Sequence, residues 1–258
     1  MQLRIIVCIK AVSLSLPQTG KSRPVDAIEL NPFDRPSLET ALRLREAYGG
    51  TVTALSMGPI SACGVLSEAR AMGVDQLVLV SDPVLAGSDT LATSSVLAAA
   101  INRLAPFDLV VFGTRSADSD TGQVGPQTAT LLELPLVTGV RSVSRDNAVL
   151  HVERISDGFM EQFELTLPAA LTIHSGSVQP RDVDLYGIES AFSEPRVTIW
   201  QLNDLSVPSD QVGEAGSPTR VTSLSKMKKD RKCEFISGTA EEQAEALIHR
   251  LVESGAIG

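Results

Sequence analysis

The chain is poor in the residues that build metal centres and disulfide frameworks. Among 258 residues there are three cysteines, Cys8, Cys63 and Cys233, and three histidines, His151, His174 and His249. The cysteines are odd in number and lack CxxC spacing. That excludes a disulfide framework or structural zinc and points to a reducing compartment. The histidines lie far apart without metal spacing, and His151 reads as a surface strand residue. There is no G-x-S-x-G elbow and no visible nucleophile–base pair, so any chemistry would be carried by a cofactor. No apolar run approaches membrane-spanning length. The opening "MQLRIIVCIK" is a strand pattern rather than a signal peptide, and the expected location is the cytoplasm. Cations are outnumbered: 22 Lys and Arg against 31 Asp and Glu give a net charge of −9. Such a surface argues against nucleic acid or an anionic membrane as partner. The one local basic run, Lys226 to Lys232, reads as a solvated connector. No repeat of fixed period is present.

What the chain does have is alternation. Near-continuous apolar runs at Leu3–Ile9, Thr51–Met57, Gln76–Val80 and Asp108–Gly113 read as buried strands. "RPSLETALRLREAYGG", "SACGVLSEARAMG", "GSDTLATSSVLAAAINRLA" and "PQTATLLEL" read as the helices that follow them. "RPVDAIELNPFD" reads as a short edge strand entering a turn. Four strand–helix repeats predict an α/β fold, a doubly wound and mainly parallel sheet. From Leu136 to Ile173 the pattern becomes successive strands with turns at Asp146-Asn147 and Asp157-Gly158, an antiparallel meander added to the sheet. "SVPSDQVGEAGSPTR" reads as extended or loop. Thr239 caps a C-terminal helix whose apolar stripe is Ala244, Leu247, Ile248 and Leu251. The expected division is an α/β domain over residues 1–200 and an extended arm over 201–258, its final helix docking on a partner subunit.

In an open parallel sheet, ligands bind beyond the carboxyl ends of the strands. The loops there are Cys8–Lys10, Met57-Gly58-Pro59, Asp82–Thr90 and Gly113–Gly125, with Asn31–Asp34 in reach. "GSDTLATS" places Ser88, Asp89, Thr90, Thr93 and Ser94 at a helix start. This is either an anion site or an ordinary cap by Ser88 or Asp89. "DSDTGQVGP" supplies Thr121, Gly122, Gln123, Val124 and Gly125 before a second helix, with Gly122 and Gly125 permitting close backbone approach. The plain alternative is a βα loop with Pro126 at the first helical position. Two such starts beyond neighbouring strands favour a nucleotide or dinucleotide pyrophosphate. Asp118 and Asp120 then belong to an acidic half of the loop, accepting bonds from ribose hydroxyls or from the loop's own amides. "SLPQTGKS" imitates a Walker A loop but has Ser15 in place of the first glycine.

"IVCIKAV", "NPFD…LETALRLRE", "ALSMGP", "SEARAMGVDQLVLVSD", "GSDTLATS" and "DSDTGQVGPQ" resemble, in order, the beta subunit of electron transfer flavoprotein. The likeness covers residues 1–175 and resumes at "GSPTRV" and the final helix. It implies a Rossmann-like fold of the adenine nucleotide alpha hydrolase kind and a heterodimer with an alpha subunit that holds an FAD. The beta subunit of that family holds AMP in many members and a second FAD in electron-bifurcating members. Carried over, the nucleotide would touch Cys8, Asn31, Pro32, Phe33, Asp34, Met57, Gly58 and the run Asp118 through Gly125. The hydroxyls Ser88, Thr90, Thr93 and Ser94, and "GSPTRV", are more similar to the bifurcating members, which implies FAD. In them NADH delivers a hydride to the beta flavin. One electron then passes to the alpha-subunit FAD and a dehydrogenase of the acyl-CoA dehydrogenase kind, the other to ferredoxin or flavodoxin. The alternatives are a conventional carrier with structural AMP in the same cleft, or a free-standing nucleotide-binding regulatory module. One departure stands out. The family's Asn-Glu-Pro-Arg-Tyr motif and lysine-rich helix end, which recognise partner dehydrogenases, are replaced by "SVQPRDVDLYGIESAFSEPRV". Pro180 and Arg181 remain, but Glu189, Ser193, Glu194 and Pro195 stand where lysines are usual.

Overall fold

The computed structural model describes residues 2–13, 28–193, 197–223 and 233–257. The Walker-like stretch Ser15–Ser22 and the basic run 226–232 lie outside them. The chain divides into two compact units, residues 1–224 and 225–258.

In the larger unit the expected alternation appears in order. It runs β1 (Leu3–Cys8), β2 (Ala11–Ser13), β3 (Ile28–Leu30), α1 (Arg35–Tyr48), β4 (Gly50–Met57), α2 (Cys63–Ala71), β5 (Gln76–Val80), α3 (Thr90–Arg103), β6 (Leu109–Gly113) and α4 (Val124–Leu131). Then come β7 (Leu136–Asp146), β8 (Val149–Ser156), β9 (Phe159–Thr166), β10 (Ala169–Ile173), α5 (Leu185–Ser193), β11 (Val197–Trp200) and the short α6 (Gly213–Gly216). Among the described residues the main sheet has nine strands in the order β11-β5-β4-β1-β6-β10-β7-β8-β9, and β2 pairs with β3 apart from it. The strand expected in "RPVDAIEL" is thus β3, in a separate antiparallel ribbon.

Strand β1 shows why the sheet is covered on both faces. Side chains alternate along a strand, and Leu3, Ile5, Val7 and Ile9 enter the apolar cluster that holds Leu38, Leu42 and Leu66 of α1 and α2. Ile6 and Cys8 enter the other cluster, with Val96 and Ile101 of α3 and Ala129 of α4. Helices on both faces bury β1 from Ile5 to Cys8 and leave Arg4, at its amino end, as its one charged residue, hence the near-continuous apolar run.

The expected meander needs one correction. β7, β8 and β9 pair antiparallel, with Asn147, Asp157 and Gly158 at positive φ in their turns. β10, by contrast, runs parallel to both β6 and β7. Its five residues are all buried, so it belongs with the two-faced central strands rather than the half-exposed meander.

The stretch read as loop, residues 206–220, contains a 3-10 turn at Ser209–Gln211 and α6. It seats on the loop before α3. Val212 is fully buried, and Gly213 approaches so closely that a Cβ there would lie 2.0 Å from the Val84 carbonyl oxygen. In the second unit, α7 (Ala240–Glu253) starts with a capping box between Thr239 and Glu242. Leu247, Ile248 and Val252 on it are each about half exposed. Among the described residues no helix is long and apolar enough to cross a membrane.

Candidate functional site

The chain grows outward from β1 to β4 and β5, then restarts at β6 on β1's other side. The carboxyl ends of β1 and β6 therefore diverge into opposite crossovers and leave a crevice between them, the position where open α/β sheets take ligands. Cys8 of β1 is level with Phe112 of β6.

Three of the expected loops converge there. Asn31 is buried and works as a double hook: its side-chain amide donates to the Arg115 carbonyl at 2.9 Å, and its oxygen accepts the Ala117 N–H at 3.1 Å. Asp34 is also buried, and its carboxylate accepts the Lys10 N–H at 2.8 Å and is held by the Gly113 N–H and by Asn31. Gly113 has to be glycine, because a Cβ there would stand 2.2 Å from Asp34 Oδ1 and 2.7 Å from the Phe33 carbonyl oxygen. The Arg115 guanidinium lies 4.5 Å over the Phe33 ring, a cation–π contact, while Pro32 is exposed. Burial outweighs the hydrogen bonds at Asp34 and pushes its pKa up to about 7. Burial, aided by the Asp34 charge, also pushes the Cys8 thiol up. Cys8 is therefore a buried, protonated thiol packed in the apolar cluster with Ile6 and Phe112.

The acidic half of the loop is answered by cations. Lys10 Nζ meets Asp118 Oδ1 at 2.8 Å, and Arg115 pairs with Asp120 at 3.2 Å. Neither pairing was read from the sequence. The opposed charges at Lys10, Arg115, Asp118 and Asp120 were the available signal, hidden by the separation of Lys10 from the loop. Asp120 sits at φ 54° and Gly122 at φ 64°, both in the left-handed region, before α4.

The second group surrounds the starts of α3 and α4. Asp89 caps α3, accepting the N–H groups of Leu91 and Ala92 at 3.0 Å each. Its other oxygen takes the Thr219 N–H at 3.0 Å and hydroxyl at 2.8 Å, and its own N–H donates to Ser217. The capping alternative therefore holds for Asp89, and "GSPTRV" is bound to that cap. Ser88 donates to the Leu85 carbonyl and accepts the Gly213 N–H. Ser94 is fully buried and donates within 3.2 Å of the Thr90 and Val124 carbonyls. Those two hydroxyls are spent inside the fold, whereas Thr90 and Thr93 are partly exposed. Thr90 Oγ1 reaches Gln123 Oε1 at 3.2 Å and joins the two helix starts.

α4 differs from α3. It begins at Val124, two residues before the expected Pro126, and its N-cap Gln123 makes no side-chain capping bond. Its first-turn amides therefore have no side-chain cap among the described residues. Gly125 is pressed to 3.0 Å from Thr172 and 3.3 Å from Phe112 at the Cβ position, so the turn lies directly on β6 and β10. Met57 at the end of β4 joins the apolar cluster under α3 and α4, and the Gly58 N–H bonds Val80 O. Ser217 and Thr219 lie in "GSPTRV", which the resemblance singled out, but nothing in their local sequence announces contact with Asp89.

The loops bring a helix start without a side-chain cap, two glycines, hydroxyls and apolar side chains together at the carboxyl ends of β1 and β6. Among the described residues no cluster of His, Cys, Asp and Glu suits a metal ion.

The model of the family described as "Electron transfer flavoprotein domain" matches residues 25–199. The "Electron transfer flavoprotein subunit beta" of Thermoanaerobacterium thermosaccharolyticum is 40% identical over 222 residues, 86% of this chain and 85% of that one. The "Caffeyl-CoA reductase-Etf complex subunit CarD" of Acetobacterium woodii is 37% identical, covering 97% of this chain and 98% of the other. The "Acryloyl-CoA reductase electron transfer subunit gamma" of Anaerotignum propionicum is 35% identical over 99% of this chain and the whole of its own. With its doubly wound sheet, its crevice at the β1/β6 divergence and these relatives along nearly its full length, the chain belongs to the family of electron transfer flavoprotein beta subunits.

Proposed function

We propose that this chain is the beta subunit of a bifurcating electron transfer flavoprotein and binds FAD in the crevice between β1 and β6. The observation that carries the reading is the uncapped start of α4 beside Gly122 and Gly125, set against the Asn31–Asp34 loop. The amides of residues 121–125 would hold the pyrophosphate, Thr90 and Thr93 would face the flavin side, and Cys8, Phe33 and Met57 would supply apolar walls. Ser88 and Ser94 act one step back, by fixing the segment at Gly213 and the α3–α4 contact. When bound, the flavin supplies the electron-transfer chemistry with NADH as donor and ferredoxin or flavodoxin as one acceptor. The protein's part is to bind it, orient it and exclude water.

The partners follow from the same reading. An alpha subunit holding its own FAD would take the exposed apolar stripe of α7. The reductase-complex names of two relatives support a flavin dehydrogenase of the acyl-CoA dehydrogenase kind as second partner. Its contact would be α5, where Leu185 and Tyr186 are about four-fifths exposed. α5 carries Glu189 rather than lysines, so the partner surface would differ from the family's usual one.

A count of flavins in the co-expressed heterodimer, after reconstitution with FAD, tests the proposal. Two flavins per heterodimer are expected. One flavin and one AMP would sink it and leave the conventional carrier, a reading favoured by the internal engagement of Ser88 and Ser94.

A further inference from the structure

Asp34 is the one carboxylate in the crevice that is buried and has no ion-pair partner within bonding distance among the described residues. It stands where the ends of β1 and β6 part, accepting the N–H of Lys10 from one and of Gly113 from the other. Those strands are in register up to Cys8 and Phe112 and have no mutual ladder bonds beyond. The carboxylate is therefore the link that continues their spacing into the loops. The missing side chain at Gly113 is the space that Asp34 Oδ1 fills. Asn31, in the same turn, fixes the next residues of the β6 loop through Arg115 and Ala117.

We propose that Asp34 is a positioning residue for the nucleotide crevice: its carboxylate sets the placement of the β1 and β6 loops and makes ligand affinity there dependent on pH. This rests on the crevice being a nucleotide site. Among the described residues the charged and titratable groups near Asp34 in space or along the chain are few. From the end of β1 come the Cys8 thiol, which stays protonated, and Lys10, whose ammonium is turned to Asp118. From the β6 loop comes Arg115, engaged with Phe33 and Asp120. From α1 comes Arg35, paired with Glu68. Among the described residues no guanidinium reaches Asp34 to hold its charge, and burial brings its titration to about 7. Ionised, the carboxylate accepts both amides. Protonated, it is a weaker acceptor, and the two loop ends lose their common anchor.

The test uses the full chain co-expressed with its alpha subunit, in wild-type form and as Asp34→Asn. Amide NMR shifts of Lys10 and Gly113 are followed from about pH 5.5 to 8.5, together with affinity for FAD and for AMP. The expected result is that both amides titrate together and that affinity at the upper end exceeds that at the lower by at least about five-fold. Asp34→Asn should remove the shift change and flatten the affinity profile. Comparison with the variant cancels titration of the AMP phosphate itself. Bound ligand without a pH effect, or the same profile in Asp34→Asn, overturns the proposal alone. Tighter binding at low pH overturns it in favour of simple charge repulsion. Failure of FAD and AMP to bind at any pH overturns the nucleotide reading and this proposal with it. If Asp34→Asn does not fold, the wild-type amide shifts and affinities decide.

Discussion

The two ends of β1 are built alike and charged differently. At its amino end Asp108 accepts the Arg4 N–H at 2.8 Å and then takes the Arg4 guanidinium through both oxygens, at 3.0 and 2.8 Å. At its carboxyl end Asp34 accepts the Lys10 N–H at the same 2.8 Å, with amides for its other partners. Both carboxylates are buried. The Arg4 hydrogen bonds hold Asp108 below the usual carboxylate range, whereas burial lifts Asp34 above it. Asp75, beside Arg45, repeats the first pattern at the amino end of β5, where it accepts the Val52 N–H. The amino edge of the sheet closes its strand ends with charge pairs, which favours stability. At the carboxyl edge Asp34 closes the strand ends through amides, without a guanidinium among the described residues, and burial lifts its pKa towards neutrality.

The largest way to break this contrast is Asp108→Ala. It leaves the Arg4 N–H without its acceptor, while the half-exposed guanidinium is rehydrated, and should cost about 2–3 kcal/mol, read from urea unfolding at neutral pH. A cost below about 1 kcal/mol would mean that the amino edge is no stronger than an exposed ion pair.

Next is the pH dependence, where the two residues should act in opposite senses. Asp108 contributes stability that is complete above its unfolded pKa and is lost as pH falls through its lower folded value. Asp34 holds an extra proton in the folded state from about pH 4 to about pH 7, so its contribution falls as pH rises through that window. The stability difference between wild type and Asp34→Asn should change by at most about 3 kcal/mol between pH 5 and 8, in favour of the variant at high pH. An unchanged difference would place Asp34 in the ordinary range.

Third is a pair of glycines. Gly113→Ala drives a methyl group against Asp34 and the Phe33 carbonyl and should cost about 2 kcal/mol and weaken ligand binding. Gly139→Ala, at φ 69° with nothing within 4 Å, should cost about 1 kcal/mol from backbone strain and leave binding intact. Equal effects would show that crowding by Asp34 is unimportant. The smallest effect is expected from Thr90→Val, which removes the bond to Gln123 at a partly exposed position. About 0.5 kcal/mol of stability should be lost, with the larger change in ligand dissociation rate by stopped-flow.

Much of this molecule was legible before its structure. Strands β1, β5 and β6 were readable because burial on both faces writes a continuous apolar run. Gly49-Gly50 and Asp157-Gly158 were readable because positive φ has few residue choices. The loops of the crevice were legible as loops, and Asn31, Asp34 and the run 118–125 as their contents. Partnership was not. Ser88 and Ser94 look like ligand hydroxyls in sequence and are internal bonds in the fold. Val212 sits in a stretch that reads as loop and is fully buried.

The sequence by itself determined the local facts: which residues alternate, which segments are helical, which turns need glycine and which family the motifs resemble. Those depend on neighbours a few positions apart. Tertiary structure alone decided that β10 turns parallel into the sheet, that Thr219 serves the Asp89 cap 130 positions away, and that, among the described residues, Asp108 meets a guanidinium and the similar Asp34 does not. The physical reason is that a carboxylate's charge state is set by burial and by the donors within hydrogen-bonding reach, and the fold chooses those donors from anywhere along the chain.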